Sequence, residues 1–285
     1  MRRLLIRPGA IGDVICSLPA IDCLRTSETE VWTRSDMVPL IDGARSISGL
    51  DMLELGLAPQ SLWDKLRSFD SIGSWYGSNR DEFKQAVAGL PFTFFPALPD
   101  GSKHAVDFYL DHARSLGATG CSDRPRIIVE PIDEGYAVIH PYSGSPKKNW
   151  PLDNYREVAE WLEKRMPVYW CAGPEEPLEG ATRFDRLDDL ARWLAGARLY
   201  IGNDSGITHL AAAVGAPVMA IFQSTDPRTW APKGANVLER PSVDDVLSAL
   251  SAYLDTSLHQ PDPAGFAASR PDSKPPRRSS RQRRP

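Results

Sequence analysis

Residues 201–232 have the sequence IGNDSGITHLAAAVGAPVMAIFQSTDPRTWAP, in which an apolar run, a short polar turn, a helix-like stretch and a second apolar run follow one another. Short apolar runs bounded by turns are typical of buried strands. At the turn, Asp204 and Ser205 are of the types that cap helices, and Gly206 lets the first free N–H groups approach a bound phosphate closely. The stretch therefore predicts two buried strands joined by a helix, with an anion pocket that a diphosphate would fit.

The same alternation extends over most of the chain. The first half contains the strand patterns RLLIR, EVWTR, SIGSW and FTFF between helical stretches, and the second half contains IIVE, YAVIH, VYWCA and RLYIG. Such alternation predicts an α/β fold in which parallel sheets carry helices on both faces. We predict two Rossmann-like domains, residues 1–124 and 125–256, that face each other across a cleft. Ligand loops would lie at the carboxyl ends of the strands.

Residues 257–285 are rich in proline, serine and arginine and too poor in apolar residues to order themselves. From Gly265 on the chain carries a charge of +6, whereas the remainder carries −10. Most nonspecific affinity for nucleic acid comes from basic residues that neutralise its phosphates. Because the remainder of the chain is acidic, we expect it to bind nucleic acid poorly. We predict a disordered basic tail, which is either a solvated end or a segment attracted to an anionic membrane surface.

The remaining composition points to an intracellular protein. Arg7 interrupts the first apolar run too early for a signal peptide, and no apolar run is long enough to span a membrane. The cysteines show neither a CxxC pair nor histidines at metal-ligand spacing, so we expect buried reduced thiols at Cys16, Cys23, Cys121 and Cys171. These features predict a soluble cytoplasmic protein without a metal site.

The first strand pattern is followed by RPGAIGDVICSLP, residues 7–19. Gly9 and Gly12 favour a tight strand-to-helix turn, which places Asp13 near the start of the helix and at the edge of the cleft. One interpretation is an acid at the helix start, stabilised by the macrodipole. The other is a general base, since the same dipole keeps the carboxylate ionised and able to accept a proton.

Two further segments follow strand patterns of the second half. HPYSGSPKKNWP, residues 140–151, combines a Ser-Gly-Ser turn that includes Ser145 with a lysine pair that includes Lys148, and it predicts a phosphate contact or an ordinary exposed loop. CAGPEE, residues 171–176, delivers Glu175 and Glu176 to the same sheet edge, where a carboxylate can bind ribose hydroxyls or form a solvated turn. His209, one turn into the helix after Gly206, either contacts a ligand or packs.

Together, RPGAIGDVICSLP, HPYSGSPKKNWP, AGPEE and IGNDSGITHLAAAVGAPVMAIFQSTDP resemble the ADP-heptose:lipopolysaccharide heptosyltransferases of glycosyltransferase family 9 in order and spacing. The resemblance covers about residues 3–254 and is most specific in the second half. It implies the GT-B fold, with the nucleotide sugar held by the C-terminal domain and the acceptor by the N-terminal domain. The family is metal-independent and needs no cofactor beyond the nucleotide-sugar substrate.

The resemblance also implies roles for single residues. Asp13 matches the proposed catalytic base, Lys148 the phosphate-binding lysine, and Glu176, or else Glu175, the ribose contact. The donor-binding D-[ST]-G segment and the histidine that completes it are matched by Asp204, Ser205, Gly206 and His209.

The sequence departs from the family at two places. Tyr142 stands where the family usually has glycine, and Gln223 and Ser224 replace the Gly-Pro pair that usually precedes Thr-Asp-Pro. Both departures leave the shape of the donor pocket open. No motif places acceptor-binding residues in the first domain, so the acceptor stays unassigned.

The resemblance implies an inverting, metal-independent transfer of a sugar to a lipopolysaccharide-core or other glycan acceptor. The sugar that it favours is heptose, with ADP-heptose as the donor. The acceptor could be a lipid-linked saccharide, which would bring the cytoplasmic enzyme to the inner membrane. Two alternatives stay open, a nucleotide-sugar 2-epimerase of the same architecture and a non-catalytic nucleotide-sugar-binding member of the family.

Overall fold

The computed structural model describes residues 1–257 and contains two parallel five-stranded sheets. The first has the order β3-β2-β1-β4-β5 and comprises β1 (Arg3–Arg7), β2 (Thr29–Thr33), β3 (Ala44–Ser46), β4 (Ser71–Ser74) and β5 (Phe92–Phe94). The second has the order β10-β9-β8-β6-β7 and comprises β6 (Tyr136–His140), β7 (Val168–Trp170), β8 (Ala197–Asn203), β9 (Val218–Phe222) and β10 (Asn236–Glu239).

Helices connect the strands as the alternating pattern predicts. The α-helices are α1 (Ile11–Leu24), α2 (Gln60–Arg67), α3 (Asp81–Ala86), α4 (Ala105–Ser115), α5 (Leu152–Glu163), α6 (Leu187–Ala195), α7 (Gly206–Ala213), α8 (Pro227–Trp230) and α9 (Val243–Ser257). Single 3-10 turns lie at Ser35–Leu40, Leu50–Leu53 and Pro146–Lys148. The central strands β1, β6 and β9 are buried along their whole length, which is why their sequences are almost continuously apolar.

In each sheet, the strand that comes first along the chain pairs with two other strands, and the strand order reverses at that point. In the first sheet β1 pairs with both β2 and β4, and in the second β6 pairs with both β7 and β8. Ligands of open parallel sheets bind outside the carboxyl ends of the strands at such a reversal. The segments that follow β1, β6 and β8 are the ones in which the sequence places Asp13, Lys148 and Asp204.

Residues 1–247 form one compact unit, and its largest hydrophobic cluster draws on both sheets. Leu5, Val14 and Tyr109 of the first half belong to the same cluster as Tyr200 and Phe222 of the second. The predicted division at residues 124 and 125 therefore stays a prediction. The predicted basic tail, apart from Ser257, lies outside the described residues.

The prediction of four reduced thiols is wrong for two of them. Cys23, near the end of α1, and Cys121, in the segment after α4, form a disulfide although they are 98 residues apart, and their Cα atoms are 5.3 Å apart. Cys16 and Cys171 are buried and free, as expected. Spacing along α1 indicates only that Cys16 and Cys23 share a helix face, whereas the partner of Cys23 is set by packing between distant segments.

The strand predicted at IIVE, residues 127–130, does not form. The Ile127 N–H donates to the carbonyl of Ala213 at the end of α7, but the segment pairs with no strand of the sheet, and Ile128 is 95% exposed. Pro125 and Pro131 flank the run and lack the N–H group that a ladder needs, so this apolar stretch is an extended connection. Within residues 1–257, no helix is both long and apolar enough to cross a membrane.

Candidate active site

Asp13 lies in the first turn of α1, directly beyond the turn that follows β1. Its Oδ2 accepts a hydrogen bond of 3.1 Å from the backbone N–H of Ala10, so the carboxylate completes the start of the helix. Gly9 has a φ of +124°, and a Cβ there would come within 3.2 Å of Asp13 Oδ2. Glycine at this position thus permits both the backbone conformation and the close approach of the carboxylate.

Ser205 and Asp204 have different tasks at the start of α7. Ser205 is the N-cap, and its Oγ accepts the Thr208 N–H at 3.2 Å, as the sequence predicts. Asp204 does not cap the helix. Its buried Oδ2 accepts hydrogen bonds of 2.7 Å from Lys148 Nζ and of 2.7 Å from Thr225 Oγ1. The candidate phosphate ligand Lys148 is therefore held at the head of α7 by a buried carboxylate.

The starts of α1 and α7 touch each other. A Cβ on Gly206 would lie 3.0 Å from Ile11 Cβ and 3.1 Å from the backbone nitrogen of Gly12, and a Cβ on Gly12 would lie 3.1 Å from a ring carbon of His209. A side chain at either position would be tightly crowded, so glycine favours this close approach. The approach brings the first turn of α1, which contains Asp13, next to the first turn of α7. The positive ends of both helices converge there.

His209 is packed rather than exposed. It is 5% exposed, and its Nδ1 lies 3.6 Å from the sulfur of Cys16 on α1. Burial lowers the pKa of His209 to about 4, and burial raises the pKa of Cys16 to about 12, so both groups are neutral near pH 7. This packing role was one of the two interpretations left open by the sequence.

Glu176, and not Glu175, is built into the turn after β7. Its Oε2 accepts the Gly173 N–H at 2.6 Å and lies 3.1 Å from His140 Nε2, whereas Glu175 is exposed. Burial alone would raise the pKa of Glu176, but the hydrogen bond and charge of His140 and the Gly173 N–H outweigh it and lower that pKa. Arg183 fixes the turn by donating to the carbonyls of Gly173 and Glu176.

A chain of hydrogen-bonding groups joins this turn to the start of α7. His140 Nδ1 lies 3.3 Å from the hydroxyl of Tyr200, which in turn lies 3.2 Å from Thr208 Oγ1. Thr208 Oγ1 lies 3.0 Å from Ser205 Oγ. Because His140, Tyr200 and Thr208 are buried, the chain fixes the distance between the candidate ribose carboxylate Glu176 and the candidate diphosphate site at Ser205.

Ser145 contributes its backbone to the turn that carries Lys148. Its carbonyl accepts the Lys148 N–H at 3.0 Å and the Ser143 hydroxyl at 2.9 Å. The hydroxyl of Tyr142, at one of the departures from the family pattern, donates to the carbonyl of Pro177 at 3.2 Å. The larger side chain at position 142 therefore links this loop to the turn that carries Glu176.

The sequence reasoning missed Asn203, the last residue of β8. Asn203 is fully buried, and its Oδ1 accepts the Trp150 N–H at 2.8 Å and the Tyr155 hydroxyl at 2.9 Å. Its Nδ2 donates to the carbonyl of Pro141 at 2.7 Å. One amide thus ties β8 to both ends of the loop that holds Lys148. A polar residue at the end of the buried run at residues 199–202 was the available signal.

Comparison with solved structures identifies the fold. The chain matches the solved structure of E. coli ADP-heptose LPS heptosyltransferase II with a TM-score of 0.72 at 18% identity, over 90% of this chain and 100% of that one. It matches E. coli heptosyltransferase WaaC with ADP with a TM-score of 0.64 at 17% identity, over 90% and 99%. The predicted GT-B fold is confirmed, and the molecule has the architecture of a two-sheet glycosyltransferase.

Sequence comparison identifies the family. The model of glycosyltransferase family 9 (heptosyltransferase) matches residues 102–242. Lipopolysaccharide heptosyltransferase 1 of Pseudomonas aeruginosa is 34% identical, with 80% of each chain covered. Lipopolysaccharide heptosyltransferase 3 of E. coli K12 is 29% identical, and the match spans 74% of this chain and 61% of that protein. The chain belongs to glycosyltransferase family 9.

Burial of His209 has a consequence for stability. With a pKa of about 4 in the folded chain and about 6.5 when exposed, His209 binds more protons in the unfolded state between these pH values. The free energy of unfolding should therefore be highest above pH 6.5 and fall toward pH 4, by up to about 3 kcal/mol from this residue. Urea unfolding at pH 7.5, 6.5, 5.5 and 4.5 measures the loss.

A His209→Gln variant isolates this contribution, since it removes the titrating ring. Burial also lowers the pKa values of His104 and His112, so part of the slope should persist in the variant. A slope between pH 6.5 and 4.5 that is the same in both proteins would contradict the assignment.

Proposed function

We propose that this protein transfers a sugar from a nucleoside-diphosphate sugar to a glycan acceptor by a single inverting displacement that needs no metal ion. The observation that carries the proposal is the contact between the starts of α1 and α7. It brings the first turn of α1, which contains Asp13, next to the capped start of α7, where Asp204 holds Lys148. A base and an anion site that converge from two sheets suit the two halves of a displacement reaction.

In this mechanism, Asp13 removes the proton of an acceptor hydroxyl while its oxygen attacks the anomeric carbon, and the nucleoside diphosphate leaves. The transition state is oxocarbenium-like, as in glycoside hydrolysis. Negative charge that develops on the leaving diphosphate meets the N–H groups at the start of α7, behind Ser205, and the ammonium of Lys148. Lys148 uses one donor for Asp204, and its side chain is 32% exposed, so the remaining N–H groups can face a ligand.

The donor is proposed to be ADP-heptose and the acceptor a lipopolysaccharide-core saccharide. The relatives are lipopolysaccharide heptosyltransferases, and one solved relative holds ADP-2-deoxy-2-fluoro heptose. Glu176 is proposed to accept hydrogen bonds from ribose hydroxyls; in support, His140 and the Gly173 N–H contact its carboxylate at the edge of the second sheet. Ser145 and Asp204 shape the phosphate site through Lys148. A cytoplasmic location and membrane contact through the basic tail remain part of the proposal.

The test begins with donor binding. A ligand that binds only the folded state raises its free energy of unfolding, by about 2.7 kcal/mol at 100 times Kd. We expect ADP and ADP-heptose to raise the melting temperature more than UDP, GDP and their sugars do. A melting temperature that no nucleoside diphosphate changes would contradict the proposed donor site.

The reaction itself separates the alternatives. Release of ADP from ADP-heptose that requires a lipopolysaccharide-core acceptor would support transfer. Formation of an isomeric nucleotide sugar without acceptor would instead identify an epimerase, and tight binding without any turnover would identify a non-catalytic member.

A further inference from the structure

Arg7, the last residue of β1, is a buried cation directly beneath the Asp13 turn. It is only 1% exposed. Its Nη1 donates to the carbonyl of Pro8 at 2.7 Å, and its Nη2 donates to the carbonyl of Asp13 at 2.9 Å. The planar guanidinium therefore spans the turn from its first residue to the first turn of α1.

The other side of the guanidinium is held from two helices. Its Nε donates to Ser17 Oγ on α1 at 3.1 Å, and its Nη2 donates to the hydroxyl of Tyr109 on α4 at 2.7 Å. Its central carbon also lies 4.6 Å from the centre of the Tyr109 ring. The acceptors in these four hydrogen bonds are neutral oxygen atoms, so hydrogen bonding holds the guanidinium in place without cancelling its charge.

The Asp13 carboxylate and the Arg7 guanidinium both lie next to Gly9. The position of a Cβ on Gly9 is 3.3 Å from Arg7 Nη1 and 3.2 Å from Asp13 Oδ2. Burial lowers the pKa of Arg7, and the neighbouring Tyr109 and Asp13 oppose that effect. The buried cation and the candidate base therefore adjoin the same glycine.

The other groups around Asp13 leave Arg7 as the buried charge closest to this turn. Cys16 and His209 are neutral near pH 7, as is Tyr109, whose pKa burial raises further. Asp204 is paired with Lys148. From the surface, Arg34 donates to the carbonyl of Gly9 at 3.2 Å and pairs with Asp36.

We propose that Arg7 is a positioning residue for the reaction: its guanidinium locks the turn between β1 and α1 through the carbonyls of Pro8 and Asp13. The inference rests on the proposed function in taking Asp13 as the base. The planar fork of the guanidinium sets the position of the carboxylate, and the compact ammonium of a lysine cannot reproduce that fork.

The variants Arg7→Met and Arg7→Lys test this role. Both lose the planar fork, so kcat should fall about tenfold in each, with the KM for the donor nearly unchanged. Arg7→Lys keeps the positive charge, so a loss of kcat in this variant is due to the fork and not to the charge.

Arg3→Met is the matched control. Arg3 is a buried arginine at the opposite end of the same strand and likewise donates to a carbonyl, that of Leu24. The control should leave kcat and the KM for the donor as they are in the unaltered protein. If Arg7→Met does not fold, Arg7→Lys decides, since an unchanged kcat in that variant would overturn the positioning role.

A measurement without turnover keeps this inference apart from the proposed function. The carboxyl carbon of Asp13, assigned by difference from an Asp13→Asn sample labelled with ¹³C-aspartate, reports the surroundings of the carboxylate by NMR. A chemical shift at pH 7.5 that changes in Arg7→Lys but not in Arg3→Met supports the positioning role even if Asp13 proves dispensable for transfer. An unchanged chemical shift in Arg7→Lys would overturn that role even if Asp13→Asn abolishes transfer.

Discussion

Replacing Asp13 with asparagine should lower the turnover of sugar transfer by about 10²- to 10⁴-fold, the usual contribution of a general base. The asparagine side-chain oxygen can still accept the Ala10 N–H that Asp13 Oδ2 accepts, so the start of α1 should persist. The amide cannot take a proton from an acceptor hydroxyl. The measurement is kcat for ADP release at saturating donor and acceptor.

Nucleotide affinity should survive this substitution. Asp13 lies on α1, whereas the proposed diphosphate site is formed by the start of α7 and by Lys148, so the thermal shift produced by ADP should change little. Asp22→Asn is a matched control, since Asp22 lies later on the same helix with an exposed carboxylate that pairs with Arg25. A large loss of ADP binding in Asp13→Asn, or full turnover, would contradict the assigned role.

The sequence predicted the fold well because most of its strands are buried. Continuous apolar runs at β1, β6 and β9 leave little choice of structure, and the alternation with helices requires parallel pairing. The edge strands β3 and β10 were missed, since they are short and partly exposed. IIVE failed for the opposite reason: it has an apolar composition but no neighbouring strand to pair with.

Some features of the candidate site could likewise be predicted from the sequence, and others could not. Ser205, Gly206 and Asp13 were predicted from local signals, namely a cap, a glycine and an acid at a helix start. The contact between the two helices that carry them joins segments almost 200 residues apart in sequence, as His209 and Cys16 illustrate. No local pattern encodes that approach.

Residues that act beneath the surface of the site were missed altogether. Arg7 and Asn203 both end strands, and their partners are chiefly backbone groups or hydroxyls of other segments. Sequence motifs record side chains that meet a ligand, whereas these two meet the loops that carry such side chains. The disulfide between Cys23 and Cys121 was overlooked for a related reason, since it also joins distant segments.

Asn203→Ala should lower the free energy of unfolding by about 3 to 5 kcal/mol, because it leaves the Trp150 N–H, the Tyr155 hydroxyl and the Pro141 carbonyl without their partner. Trp150 and Tyr155 are buried, so water cannot readily replace the lost amide. Urea unfolding at pH 7.5 measures the change.

Tyr155→Phe is the matched control, since it removes one of the same hydrogen bonds and leaves the other two intact. Its loss should be about 1 kcal/mol. The same two variants also test the candidate donor site, because Asn203 fixes both ends of the loop that carries Lys148, whereas Tyr155 lies on α5. ADP should therefore stabilise Asn203→Ala much less than Tyr155→Phe. Equal losses of stability in the two variants would show that the amide of Asn203 does not organise this loop.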